Sequence, residues 1–170
     1  MAVIRPRFSN GQIQEMLTER LKRIDSAILT RLQYIGESFV KNAREKADFT
    51  DRTGNLRNSI GYIILKNGVQ MYENFRRTAN VEVSIKSGRN RGQKRNTKGG
   101  KRGMEAAREV AANAAGNFQN GYVLIVVAGM EYAAFVEAMG YDVLTASSEI
   151  AKRDLQNAIK SIKQKMTRMR

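Results

Sequence analysis

The chain is expected to fold as one α+β domain, with a long N-terminal helix and a C-terminal helix packed on a mostly antiparallel sheet of about four strands and an inserted basic loop. Three observations predict this. Apolar residues recur in steps of four and three from Asn10 to about Ala47, the mark of a helix with one buried face. Short strand-like runs follow, punctuated by turn signals such as Asn67-Gly68. A second helical stripe then closes the chain from Thr145 to about Met166. With 170 residues, 42% of them apolar, there is enough material for a single core.

Residues 1–9 read as an extended arm, with Arg5 and Arg7 flanking the one proline, Pro6. The domain proper is expected to occupy 10–170. Its first helix carries Ile13, Leu17, Leu21, Ile24, Ile28, Leu32, Ile35, Phe39 and Ala43 on one face, and Ser9 or Asn10 can cap it. Such a helix would be about 55 Å long. A small domain leaves part of so long a stripe uncovered, so either the helix bends near Gly36 or a neighbouring subunit covers the rest.

Asp51 to Tyr62 reads D-R-T-G-N-L-R-N-S-I-G-Y. Asp51, Thr53 and Gly54 make a turn. Leu56, Asn58, Ile60, Tyr62 and Ile64 then fall at period two, which predicts a strand reaching Lys66 with a polar interruption at Asn58. Asn67-Gly68 turns the chain into a return strand, Val69 to Phe75, whose alternation is poor. Val81, Val83 and Ile85 predict a third strand.

Composition shifts at residues 86–103. Eight residues there are basic (Lys86, Arg89, Arg91, Lys94, Arg95, Lys98, Lys101 and Arg102), none is acidic and none is hydrophobic. The segment supplies +8 of a net charge of +14 and is expected to be a flexible loop. Cations spread along such a loop can neutralise phosphates without reading sequence. No aromatic is interleaved for base stacking. Gly100-Lys101 does not complete a phosphate-binding loop, because Arg95 and Arg102 stand where glycine and Ser or Thr are needed.

Met104, Ala107, Val110, Ala111 and Ala114 predict a short helix, and Asn120-Gly121 turns it into Tyr122–Gly129. That run is apolar at every position, as expected of a strand interior to the sheet with both faces covered, either wholly by this domain or on one face by another subunit. Tyr132, Phe135 and Val136 recur at helical spacing. Glu131 and Glu137 lie six apart, on different faces of a helix, and do not form an acid–base pair. Thr145 caps the last helix, whose stripe is Ile150, Ala151, Leu155, Ala158, Ile159, Ile162 and Met166. Lys160, Lys163, Lys165, Arg168 and Arg170 crowd its C-terminal end, where cations suit the helix dipole.

The chain holds no histidine and no cysteine. That removes the usual neutral-pH base, thiolate nucleophiles, disulfides and most zinc sites. The acidic residues are scattered, so an enzyme is not expected, and no cofactor or metal is implied. No apolar run reaches the roughly 20 residues that span a bilayer, and the first residues lack a signal-peptide core, so assembly in a cytoplasm is expected. The excess of 30 basic over 16 acidic residues points to an anionic partner, nucleic acid first.

Two stretches resemble a known family. T-G-N-L-R-N-S-I, with Thr53, Gly54, Leu56, Arg57, Ser59 and Ile60, precedes a strand. E-Y-A-A-F-V-E, with Tyr132, Ala133, Phe135, Val136 and Glu137, follows one. In this order they resemble the tail-completion or head–tail joining (neck) proteins of long-tailed phages, the gene-product-ten-like tail components. Ala138-Met139-Gly140-Tyr141 departs from that family's commonest pattern, which closes with a glycine–threonine pair. The resemblance implies a structural virion protein that forms a ring, usually of six subunits, at the phage neck. It further implies contacts with neighbouring head-closure and tail-terminator or tail-tube proteins, and double-stranded DNA in the channel facing the basic loop. A free nucleic-acid-binding protein without sequence preference explains the charge equally well.

Overall fold

The computed structural model describes residues 9–49, 51, 53–77, 81–84, 88–97 and 100–168. The fold is α+β, a long N-terminal helix and a C-terminal helix packed on a three-stranded antiparallel sheet. Residues 1–8 of the expected arm at 1–9 lie outside the described residues, and its last residue, Ser9, caps the first helix.

Helix α1 spans Asn10–Glu45 without a break. Ser9 caps it in a reciprocal box: its hydroxyl accepts from the Gln12 backbone while the Gln12 side chain accepts from the Ser9 N–H. The stripe divides by environment. Leu32, Ile35, Phe39, Val40 and Ala43 are buried, whereas Ile13, Leu17 and Leu21 are exposed, Leu21 by 63%. Gly36 sits inside the helix as a seat for the Tyr62 ring, because a Cβ there would lie 2.8 Å from ring carbons. Arg44 ties the end of the helix to the sheet, donating to the Ile60 carbonyl at 2.6 Å and to the Arg76 carbonyl at 2.9 Å.

The strand expected from Leu56 begins later. Asn55–Asn58 is a single helical turn, α2, and strand β1 runs Ile60–Lys66. Local bonding overrides the period-two pattern. The Asp51 carboxylate accepts from the backbone of Thr53 and Arg57, Thr53 Oγ1 accepts from Asn55 N–H, and Gly54 takes a left-handed φ of 71°. Asn58 is no interruption of a strand, since its buried amide donates to the Gly54 carbonyl at 2.6 Å.

Strand β2 (Val69–Asn74) pairs with β1 through the Asn67-Gly68 turn, where both residues have positive φ as a primed turn requires. Its poor alternation has a cause. Ile64 faces Tyr72 while Leu65 faces Gln70, which leaves Met71 as a bulge. The third expected strand forms as β3 (Val81–Ser84), with Ile85 outside the described residues. It does not join the main sheet. It pairs with β4 (Lys94–Thr97) in a separate two-stranded ribbon.

Helix α3 (Lys101–Ala115) leads to strand β5 (Tyr122–Ala128), then α4 (Ala133–Ala138) and α5 (Thr145–Arg168). The main sheet has the order β2-β1-β5. The interior strand is therefore β1, buried at nearly every position, and β5 lies at an edge, contrary to the expectation for Tyr122–Gly129. Both faces of β5 are nevertheless covered from within the chain. Tyr122, Leu124, Val126 and Ala128 pack with α1 and α5, while Val123, Ile125 and Val127 pack with α3. Buried Ala107 and Ala111 let α3 approach closely, with Gly129 directly against the Ala107 backbone. Val110, assigned by spacing to the buried face, is exposed.

Thr145 is the first residue of α5 but does not cap it. The Glu137 carboxylate accepts from the backbone of Leu144 (3.3 Å) and Thr145 (2.9 Å) and from the Thr145 hydroxyl, and Asp142 accepts from Ala146. Carboxylates prevail over a hydroxyl here because they complement both the free N–H groups and the dipole. No helix among the described residues is long and apolar enough to cross a membrane.

Candidate functional site

The basic segment does not form one continuous loop. Arg89 and Arg91 are exposed in the turn that follows β3, and Lys94 is exposed at the start of β4. Arg95 lies in β4 opposite Val83. Lys101 and Arg102 are exposed on the first turn of α3, and Lys101 pairs with Glu105 at 3.4 Å. Lys86 and Lys98 lie outside the described residues. Strand pairing accounts for the departure, since Val81 and Val83 face Thr97 and Arg95 and draw 94–97 into an antiparallel ribbon. Backbone bonds Arg91 N–H to Gly88 O and Gln93 N–H to Asn90 O shape its turn, and Gly88 and Gly92 supply positive φ.

Two groups of cations result, one on the ribbon and one at the start of α3. The second group stands at the positive end of the helix dipole, with Glu105, one turn on from Lys101, as its acidic neighbour. Its potential therefore adds to that of the backbone. Such surfaces attract anions, and nothing in them reads a base edge.

The two stretches that carry the family resemblance fold against each other. Gly129 N–H, just before the second stretch, donates to the carbonyl of Ser59 in the first at 3.1 Å. Leu56, Ile60 and Ala133 share one core, with Val136 packed against it. Burial, and then the Asp51 carboxylate, push the Tyr132 hydroxyl above the usual phenol range. Arg57 N–H is held by Asp51 at 2.8 Å. Phe135 points outward, 66% exposed, beside exposed Met139 and Tyr141. Burial alone would raise the Glu137 pKa, yet the hydroxyl and backbone N–H groups of the α5 start outweigh it and hold the carboxyl below its ordinary value. Glu137 is thereby committed to the cap, and Glu131 stands exposed.

Sequence reasoning did not find two polar clusters. Glu37 accepts from the Tyr62 hydroxyl (3.0 Å) and from the Asn74 amide (2.7 Å), fastening α1 to β1 and β2. Asp25 accepts from the Lys66 ammonium and the Tyr122 hydroxyl, fastening α1 where the sheet ends. The hydrogen bond from Lys66, then that from Tyr122, lowers the Asp25 pKa, and the same bonding raises that of Lys66. Burial first, and then the bond to Asp25, raises Tyr122 as well. Lysine stays charged and tyrosine protonated at neutral pH, so this cluster is a clamp and contains no activated nucleophile. A carboxylate 41 positions from its lysine leaves no local signature in a sequence. Among the described residues no group of three or more carboxylates is placed to hold a metal ion.

Comparison with protein-family models, with curated proteins and with solved structures found no match to this chain.

Proposed function

We propose that the chain is a structural virion protein, a subunit of a ring at the head–tail connector of a phage, through which double-stranded DNA passes. The observation that carries this reading is the ordered pair T-G-N-L-R-N-S-I and E-Y-A-A-F-V-E, whose residues meet in one core although about 80 positions separate them. The cations of the ribbon turn and of the α3 start supply a surface that would screen the phosphates of passing DNA. The exposed half of the α1 stripe and the exposed Phe135, Met139 and Tyr141 supply apolar surface for neighbours in the neck, the head-closure and tail-terminator or tail-tube proteins.

The test removes charge where no core residue is touched. Replacing the exposed Arg89, Arg91 and Lys94 together by serine is expected to leave thermal unfolding in place. DNA binding should weaken uniformly across sequences, and the slope of log K against log salt should fall by about 0.9 for each phosphate that is no longer neutralised. Unchanged DNA affinity would contradict the DNA-facing role. A free nucleic-acid-binding protein would respond to the same substitutions but remain a monomer.

A further inference from the structure

We propose that the free edge of β5 is a subunit contact, accepting β2 of a second copy of this chain as the next strand of the sheet. This rests on the reading of the chain as a self-assembling subunit and names the surfaces that would join. Strand β5 pairs with β1 through seven consecutive residues. Among the described residues, no backbone hydrogen bond joins its other side. Exposed edges are ordinarily guarded by charge, proline, bulges or shortness. Tyr122–Ala128 has none of these: seven residues, no charged side chain, no proline and an unbroken register. It has the composition of an interior strand in the position of an edge strand.

The space beside that edge is shaped for an added strand. A groove of about 530 Å³ runs between β5 and α5, floored by Leu124, Val126, Ala151, Leu155 and Ile159. A strand joining the edge gains main-chain hydrogen bonds and sends alternate side chains into this groove. The occupant must offer an unpaired strand of its own, and β2 is the other edge of the same three-stranded sheet. Val69, Met71 and Tyr72 are exposed on it. Tyr72 faces Ile64, which places it on the α1 side of the sheet. In a sheet continued from copy to copy, that is the side of the groove.

Charge favours the same pair. Two copies carrying +14 each repel, and they meet most easily along segments that carry no cation. Neither strand contains one. The cations that line the groove, Arg31, Lys152 and Lys163, stand exposed on the helices. The single charge of β2, Glu73, is balanced by Arg108 at 2.8 Å on the opposite face. Because the two edges differ, the contact is head-to-tail, and its repetition closes a ring when the rotation allows.

The absence of cysteine makes a clean test. Copies carrying Tyr72→Cys are mixed with copies carrying Tyr122→Cys, Leu124→Cys or Val126→Cys and oxidised. A disulfide forms only where Cα atoms come within about 7 Å. The expected product is a mixed disulfide for at least one β5 position, well above either partner's disulfide with itself. A β5–β5 disulfide alone, or no cross-link, overturns the proposal. Tyr72→Asp guards against a misfolded cysteine variant. It should leave the unfolding midpoint in place and weaken self-association about tenfold or more, since it would bury a charge in the groove. Unchanged assembly of Tyr72→Asp overturns the proposal too. A discrete ring without the mixed disulfide removes the edge contact and spares the neck reading. The mixed disulfide in an assembly that ignores DNA does the reverse.

Discussion

Strands β1 and β5 lie side by side, pair residue for residue over seven positions, and are both almost wholly apolar. They differ in neighbours. β1 has a strand on each side and a helix on each face, and Ile60, Tyr62, Ile63, Ile64 and Leu65 are all within 1% of full burial. β5 has the same two faces covered but only one neighbouring strand, and its residues are half-buried except Val127. The alternation of a sequence records what covers the faces of a strand. Alternation does not record which strand lies along an edge, because edge partners bond to the backbone, which every residue shares; only guards such as charge, proline or a bulge mark an edge left open.

The comparison can be broken most severely at β1. Ile60→Asp places a carboxylate at a fully buried position and is expected to abolish folding. A soluble variant with a cooperative unfolding transition would mean that the strand does not lie as described. Next comes a matched pair across the ladder, Ile64 opposite Leu124. Ile64→Ala should cost about 2–5 kcal/mol in chemical unfolding, the range for a buried large-to-small change. Leu124→Ala, half-exposed in one copy, should cost about 1–2 kcal/mol on the same measure. Equal costs in the isolated protein would show that the β5 edge is already covered.

A smaller effect is expected where α5 begins. Glu137→Gln should cost about 1 kcal/mol, as helix-cap losses do. The sign of its pH dependence follows from a folded pKa held below the ordinary value. The contribution is present above the unfolded pKa, near about 4.3, and is lost as pH falls through the folded value. The wild-type protein should therefore lose stability in acid more steeply than Glu137→Gln. A parallel pair of pH curves would remove Glu137 from the cap. Smallest of all is Leu21→Gln on the uncovered half of α1, expected within about 0.5 kcal/mol of wild type in the isolated protein. A larger loss would mean that the stripe is covered within one copy.

The two long helices were legible because a stripe of 3.6-residue period over 36 and 24 residues has no competing explanation. The Asn67-Gly68 hairpin was legible from its turn chemistry. Leu56 to Asn58 was misread because a strand and a helical turn both bury Leu56, and the deciding bonds come from Asp51, Thr53 and Gly54 just upstream. The basic segment divided because Val81 and Val83 recruit part of it as a strand, a pairing between distant residues that charge does not disclose. Its cations were identifiable from composition, whereas the carboxylates that cap α5 and clamp α1 were not, since each acts on groups brought near by the fold.

The central claim is that this chain assembles, and the mass of the purified protein in solution tests it most directly, measured alone and with the proteins encoded beside it. The account predicts a discrete closed ring, a whole multiple of the 19.1 kDa chain, in one of those two conditions. A 19.1 kDa monomer at every concentration, indifferent to those neighbours and binding nucleic acid at low salt, would contradict it.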